Sequence, residues 1–101
     1  MKPKILSDTE VQTLLAELNS DGEGWFLEDG KLTKQYMFKD FIAAFGFMTQ
    51  AAIYAEKVNH HPEWFNVYNK VKVQLITHEV SGISAKDADL AKKMDALAAN
   101  F

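Results

Sequence analysis

The spacing of apolar residues switches between a helical period and a strand period along this chain, and that alternation narrows the fold more than any other feature. Ser7 followed by Glu10 reads as a capping box. Val11, Leu14, Leu15 and Leu18 then recur at helical spacing and form one apolar stripe. The run Asn19-Ser20-Asp21-Gly22 stops this helix. Residues 25–27, Trp-Phe-Leu, form a short apolar strand, and Asp29-Gly30 is a strong tight-turn dipeptide. Leu32, Tyr36 and Phe38 alternate with Thr33, Gln35 and Lys39, as a half-buried strand requires. Lys34 interrupts the apolar side and Met37 the polar side.

A second helix is predicted over residues 40–57, with Asp40 as its N-cap. Phe41, Ala44, Phe45, Met48, Ala52 and Ala55 make one stripe; Ala43, Phe47, Ala51 and Tyr54 make another. A helix apolar on two sides has two partners. The sheet is one. The other is a neighbouring subunit or, in the plainer reading, the first or third helix. On the subunit reading, changes at Phe47 or Tyr54 disturb assembly. Strands follow over residues 64–68 and 71–77, joined at Asn69-Lys70, with Val71, Val73 and Leu75 on one face and Lys72, Gln74 and Ile76 on the other. Gly82 breaks the chain. Ser84 then caps a last helix, Asp87 favours its positive end, and Leu90, Ala91, Met94, Leu97, Ala98 and Phe101 form its stripe. The order helix, two strands, helix, two strands, helix implies a two-layer α+β domain. Its sheet is antiparallel and four-stranded, with the helices on one face. No repeat or linker divides residues 1–101, so a single domain is expected.

Composition excludes several functions. The chain has 101 residues, 48% of them hydrophobic, and oligomerisation is a common aid to so small a core. Eleven basic and fourteen acidic residues leave a net charge of −3 with no basic run, which argues against direct nucleic-acid binding. The absence of cysteine removes disulfides, thiolate nucleophiles and zinc ribbons. The N-terminus lacks an apolar core of the secretory kind. The uncharged stretch 41–55 would span only ~22 Å as a helix, too short for a bilayer. A cytoplasmic protein without membrane contact is therefore expected.

The chemistry centres on histidine. His60, His61 and His78 are all the histidines, and each lies at the edge of a predicted element. Antiparallel pairing of the last two strands sets the start of one beside the end of the other, so the three rings can converge. Histidine both donates and accepts protons near neutral pH, which suits acid–base work on a small polar molecule. Glu56, Glu63, Glu79 and Asp87 are close enough in sequence to orient the rings, and Trp64 offers a flat apolar wall. Other readings stay open. The His-His pair can simply cap the preceding helix, Trp64 can be core, and three imidazoles can hold zinc. Adjacent histidines rarely reach one metal, because their rings diverge. Ser81 and Ser84 sit in turn or cap positions without a nucleophile elbow.

Residues 56–91, EKVNHHPEWFNVYNKVKVQLITHEVSGISAKDADLA, resemble the pterin-4a-carbinolamine dehydratase family. The markers are His-His-Pro-Glu-Trp at 60–64, Tyr68, Thr77-His78, Gly82 and the Ser84…Asp87…Leu90-Ala91 cap and helix. Upstream, FKDFIAAFGFM at 38–48 is similar to the family's central helix. The resemblance implies a four-stranded antiparallel sheet with three helices on one side. It also implies homodimers, often paired into homotetramers through the central helix. The implied reaction is loss of water from a 4a-hydroxytetrahydropterin to give a quinonoid dihydropterin, without a metal or organic cofactor. It regenerates the pterin used in aromatic amino-acid hydroxylation. By the same resemblance His60 and His78 are the acid–base pair and His61 chiefly binds substrate. Ile76, Thr77 and Glu79 flank His78 in the strand end that contacts it. Glu56 and Asp87 match acidic positions near the site, and Trp64 walls it. Asn59 stands where some members carry Asp, which removes a charge beside His60. Some animal relatives also serve as a dimerisation cofactor for a homeodomain transcription factor, so a protein-binding role, cytoplasmic or nuclear, is the alternative.

Overall fold

Helix α1 (Asp8–Leu18) starts at a reciprocal cap: the Ser7 hydroxyl accepts from the Glu10 N–H at 3.1 Å, and the Glu10 carboxylate accepts from the Ser7 N–H at 2.9 Å. It buries Val11 and Leu14. The computed structural model describes residues 2–22 and 24–101. Strands β1 (Phe26–Glu28) and β2 (Lys31–Met37) are joined at Asp29-Gly30, both with positive φ (54° and 75°), the backbone of the predicted tight turn. Helix α2 (Phe41–Val58) follows its Asp40 cap. Strands β3 (Glu63–Val67) and β4 (Lys70–Leu75) form the second hairpin, and α3 (Ala85–Ala98) closes the chain. The sheet order is β1-β2-β4-β3, antiparallel throughout. The fold is the expected α+β arrangement, α-β-β-α-β-β-α.

The core lies between sheet and helices. Val71, Val73 and Leu75 are fully buried with Leu32, Phe47, Leu90 and Met94. The rings of Tyr36 and Phe38 lie 4.8 and 5.1 Å from that of Phe47. Lys34, the charge in the apolar face of β2, is accounted for by α3. Its ammonium meets Asp95 at 2.9 Å and lies over the Trp25 and Tyr36 rings. The Trp25 indole N–H also donates to Asp95, at 2.9 Å. Burial, and then this carboxylate, push the Tyr36 hydroxyl well above the usual phenol range.

Four local expectations are corrected. The first strand begins at Phe26, and Trp25 is buried ahead of it. The β3–β4 loop is Tyr68-Asn69, one residue earlier than read, because Val67 pairs with Lys70. The Asn66 amide donates to the Tyr68 and Lys70 carbonyls, and Asn69 exchanges bonds with Phe38, so the side chains choose this register. Strand β4 ends at Leu75. Thr77 pairs with Gly82 instead, and His78–Val80 form a single 3-10 turn. A Cβ at Gly82 would stand 2.4 Å from the Ile5 Cδ1, so a larger residue there would push the Ile5 side chain aside. On α2, Ala43, Ala44, Phe47, Ala51 and Ala55 face inward, toward the sheet and α3. Phe47 is thus core rather than an assembly contact. Tyr54 packs against the core edge with its hydroxyl on Asp89 at 2.6 Å. Exposed instead are Phe41, Ile42, Phe45 and Ile53.

Candidate active site

The chain leaves α2 through Asn59, whose left-handed backbone (φ 53°) suits asparagine, and the His60 N–H returns to the Ala55 carbonyl at 3.0 Å. This exit turns His60 back toward α3. There the His60 Nε2 donates to the Asp87 Oδ1 at 2.6 Å. Asp87 is fully buried at the third position of α3. Its Oδ2 accepts from the Thr77 hydroxyl at 2.7 Å and from the Ser84 N–H at 3.0 Å. The Thr77 hydrogen being committed, the Ser84 hydroxyl donates to Thr77 at 2.7 Å. One carboxylate thereby caps a helix, ties down the end of β4 and fixes a histidine tautomer with Nδ1 left as the second nitrogen.

The other two rings have partners of their own. His61 Nε2 meets the Glu56 Oε1 at 2.8 Å, and His78 Nε2 meets the Glu63 Oε2 at 2.9 Å. Exposure separates their roles: the His60 side chain is 10% exposed, against 55% for His61 and 75% for His78. His60 is braced; the others are open to an incoming molecule. The Lys31 ammonium, 2.7 Å from the Glu63 Oε1, is the main cause holding the Glu63 carboxyl below the usual carboxylate range.

Asn59, His60, His61, Ile76, Thr77, His78, Glu79 and Lys86 line one cavity of about 200 Å³. A larger concavity of about 450 Å³ lies between α1, the first hairpin and Ile83, but no histidine lines it. All three histidines line the smaller one. Among the described residues no group of three or more His, Asp or Glu is placed to hold a metal ion. Among the described residues no helix is long and apolar enough to cross a membrane.

A family model, pterin 4 alpha carbinolamine dehydratase, matches residues 4–97. The chain belongs to this family. A relative from Solibacter usitatus (strain Ellin6076), named for the same dehydratase, is 55% identical over 93% of this chain and 95% of its own length. One from Brucella ovis, similarly named, is 48% identical over 92% and 94%. The crystal structure of a transcriptional coactivator/pterin dehydratase from Brucella melitensis aligns with a TM-score of 0.87 at 47% identity, covering 94% of this chain and 99% of that one.

Of the residues singled out from the family's sequence, the structure brings His60, His61, His78, Asn59, Ile76, Thr77 and Glu79 onto one cavity. Asp87 and Glu56 stand behind His60 and His61 as acceptors. Trp64 is not among the lining residues. It pairs with Val73 on β4 and packs partly against the core. Lys86 was missed: it lines the cavity with its Nζ 3.5 Å from Glu79. The Ser84 cap is the only sequence signal that places it, since it sets residue 86 in the first turn of α3. Lys31 was also missed, being distant in sequence from every histidine.

Proposed function

We propose that this chain dehydrates a 4a-hydroxytetrahydropterin to the quinonoid dihydropterin and water, with His60, His61 and His78 as the working groups. The observation that carries this reading is the convergence of three imidazoles, each on its own carboxylate, upon one cavity in a dehydratase-family chain. The reaction breaks the bond from the carbinol carbon to its oxygen. It also removes the proton of the adjacent ring nitrogen, so a C=N bond forms. A general acid protonates the departing hydroxide as a base takes the nitrogen proton; one proton leaves the site and one enters. His60 and His78 fill these roles and His61 holds the substrate, with Ile76, Thr77 and Glu79 at the strand end. The pathway served is regeneration of the reduced pterin after aromatic hydroxylation, in the cytoplasm.

The test is the dehydration rate of freshly generated 4a-hydroxytetrahydropterin in the presence of chelator. Wild type is expected to accelerate it. His60→Ala/His78→Ala is expected to lose about 10²–10⁴-fold in kcat. A well-folded wild type with no acceleration would sink the reading.

A second reading rests on the outer face of α2. Ile42 is 81% exposed and Ile53 67%, beside Phe41 and Phe45. Large apolar side chains exposed on the outer face of one helix mark an interaction surface. It favours a homodimer or homotetramer, and the coactivator description of the Brucella melitensis protein adds a transcription-factor partner as a further form. Ile42→Ser/Phe45→Ser is expected to lower the mass measured by sedimentation while sparing the helical circular-dichroism signal. An unchanged mass would remove α2 as the contact.

A further inference from the structure

The structure holds a bridge that the dehydratase reading leaves unused. It runs from Lys31 Nζ to Glu63 Oε1 at 2.7 Å, and from Glu63 Oε2 to His78 Nε2 at 2.9 Å. Its three members come from the start of β2, the start of β3 and the 3-10 turn after β4. The register explains why they meet. Glu63 and Thr33 both pair with Gln74 on β4, so Lys31, two residues before Thr33, shares their face of the sheet and reaches diagonally across.

We infer that Lys31 and Glu63 are positioning residues for His78: the ammonium pins one carboxylate oxygen so that the other holds the ring at the cavity. This rests on the proposed role of His78 in the dehydration. The need for such a device follows from the site itself. His60 is braced by a buried aspartate, whereas His78 is largely exposed and sits on a short turn. A ring in that setting samples several rotamers, and a misplacement of about 1 Å can cost ~10²-fold in rate. Glu63 alone would be a mobile acceptor. With both oxygens engaged, its carboxylate has one orientation, and the third ring gains the fixed acceptor that the fold itself provides for the first.

The other charged groups around His78 have their own partners. Glu79, on the same turn, pairs with Lys86 of α3 at 3.5 Å. From the segment after α2, His60 is held by Asp87 and His61 by Glu56. The hydrogen bond from Lys31 also keeps Glu63 ionised to lower pH than an ordinary carboxylate. The sign follows directly. The bond to His78 is present above the Glu63 pKa and weakens as pH falls through it, and removing Lys31 moves that loss to higher pH.

Two readouts test this. The first is kinetic. Lys31→Met and Glu63→Leu are each expected to lower kcat about tenfold with KM little changed, and Lys31→Arg to restore most of it. In a His78→Ala background neither change should cost anything more, because both act through that ring. Losses that add fully to that of His78→Ala, or Lys31→Met at wild-type kcat, would overturn the inference. The second readout needs no activity. It is the titration of the Glu63 carboxyl carbon by NMR, expected to move upward in Lys31→Met and to stay in place in Lys31→Arg. A Glu63 titration that ignores Lys31→Met overturns the bridge whether or not the protein dehydrates a pterin. Should wild type lack dehydration while Glu63 responds as expected, the bridge stands and the reading of His78 chemistry falls.

Discussion

Asp87→Ala is expected to remove stability and turnover together. The fully buried carboxylate serves His60, the Thr77 hydroxyl and the Ser84 N–H at once. Its loss strands three donors and opens the cap of α3. Leaving a buried donor without its acceptor costs about 1–3 kcal/mol for each group. Domains of this size hold only ~5–15 kcal/mol in total. Urea unfolding should therefore show a much lower midpoint, and a midpoint near that of wild type would refute the account. Asp87→Asn separates the two effects. Its carbonyl oxygen can still accept from Thr77 and Ser84, while its amide faces His60 with hydrogens where an acceptor stood. The ring must then turn its other tautomer to the cavity. A folded protein with kcat reduced about 10²-fold or more is the expected outcome. Wild-type kcat in folded Asp87→Asn would show that the tautomer of His60 does not matter to the reaction.

Phe47→Ala is expected to be the most damaging change on the central helix. Phe47 has no exposed surface and packs its ring against Tyr36 and Phe38. Truncation leaves a cavity between helix and sheet and costs about 3–5 kcal/mol. Chemical denaturation should show this at any protein concentration. A purely oligomeric effect would instead disappear on dilution below the dissociation constant of the oligomer. An unfolding midpoint unchanged by Phe47→Ala would mean that the ring is not where the fold puts it.

These two residues show where sequence reasoning reaches and where it stops. Caps are local, so Ser7-Glu10 and Ser84-Asp87 were legible, as was the Asp29-Gly30 turn with its two positive φ angles. Antiparallel pairing followed from the hairpins, and with it the approach of His60 and His61 to the far end of β4. The helical period of α2 was visible, but neither stripe as read is the inner face: Ala44 and Ala55 of one join Ala43, Phe47 and Ala51 of the other. Which side faces inward depends on β4 and α3, and it is the alanine-rich side, which lets the helix lie close. The site's carboxylates were legible as neighbours in sequence but not as partners of particular rings. Only the fold decides that Asp87 takes His60 and Glu63 takes His78. Lys31 lay beyond any local signal, because its contact depends on strand register across an intervening strand. The one-residue error at Tyr68-Asn69 has a similar source: two asparagine side chains, rather than the loop's own propensity, set the turn.

The backbone at Ile5 and Leu6 pairs with Ile83 and Ser84, beside the turn that carries His78. During synthesis those two early residues emerge long before their partners. At roughly 5–20 residues per second the wait is on the order of ten seconds. Through that interval Ile5 and Leu6 lack their partners at Ile83 and Ser84, and His60, once made, still waits for Asp87. The α3 cap makes two contacts at once: Ser84 and Ile83 hold the N-terminal segment, and Asp87 braces His60. A chain ending before Ser84 would thus lack both the seam to its N-terminal segment and the carboxylate behind His60.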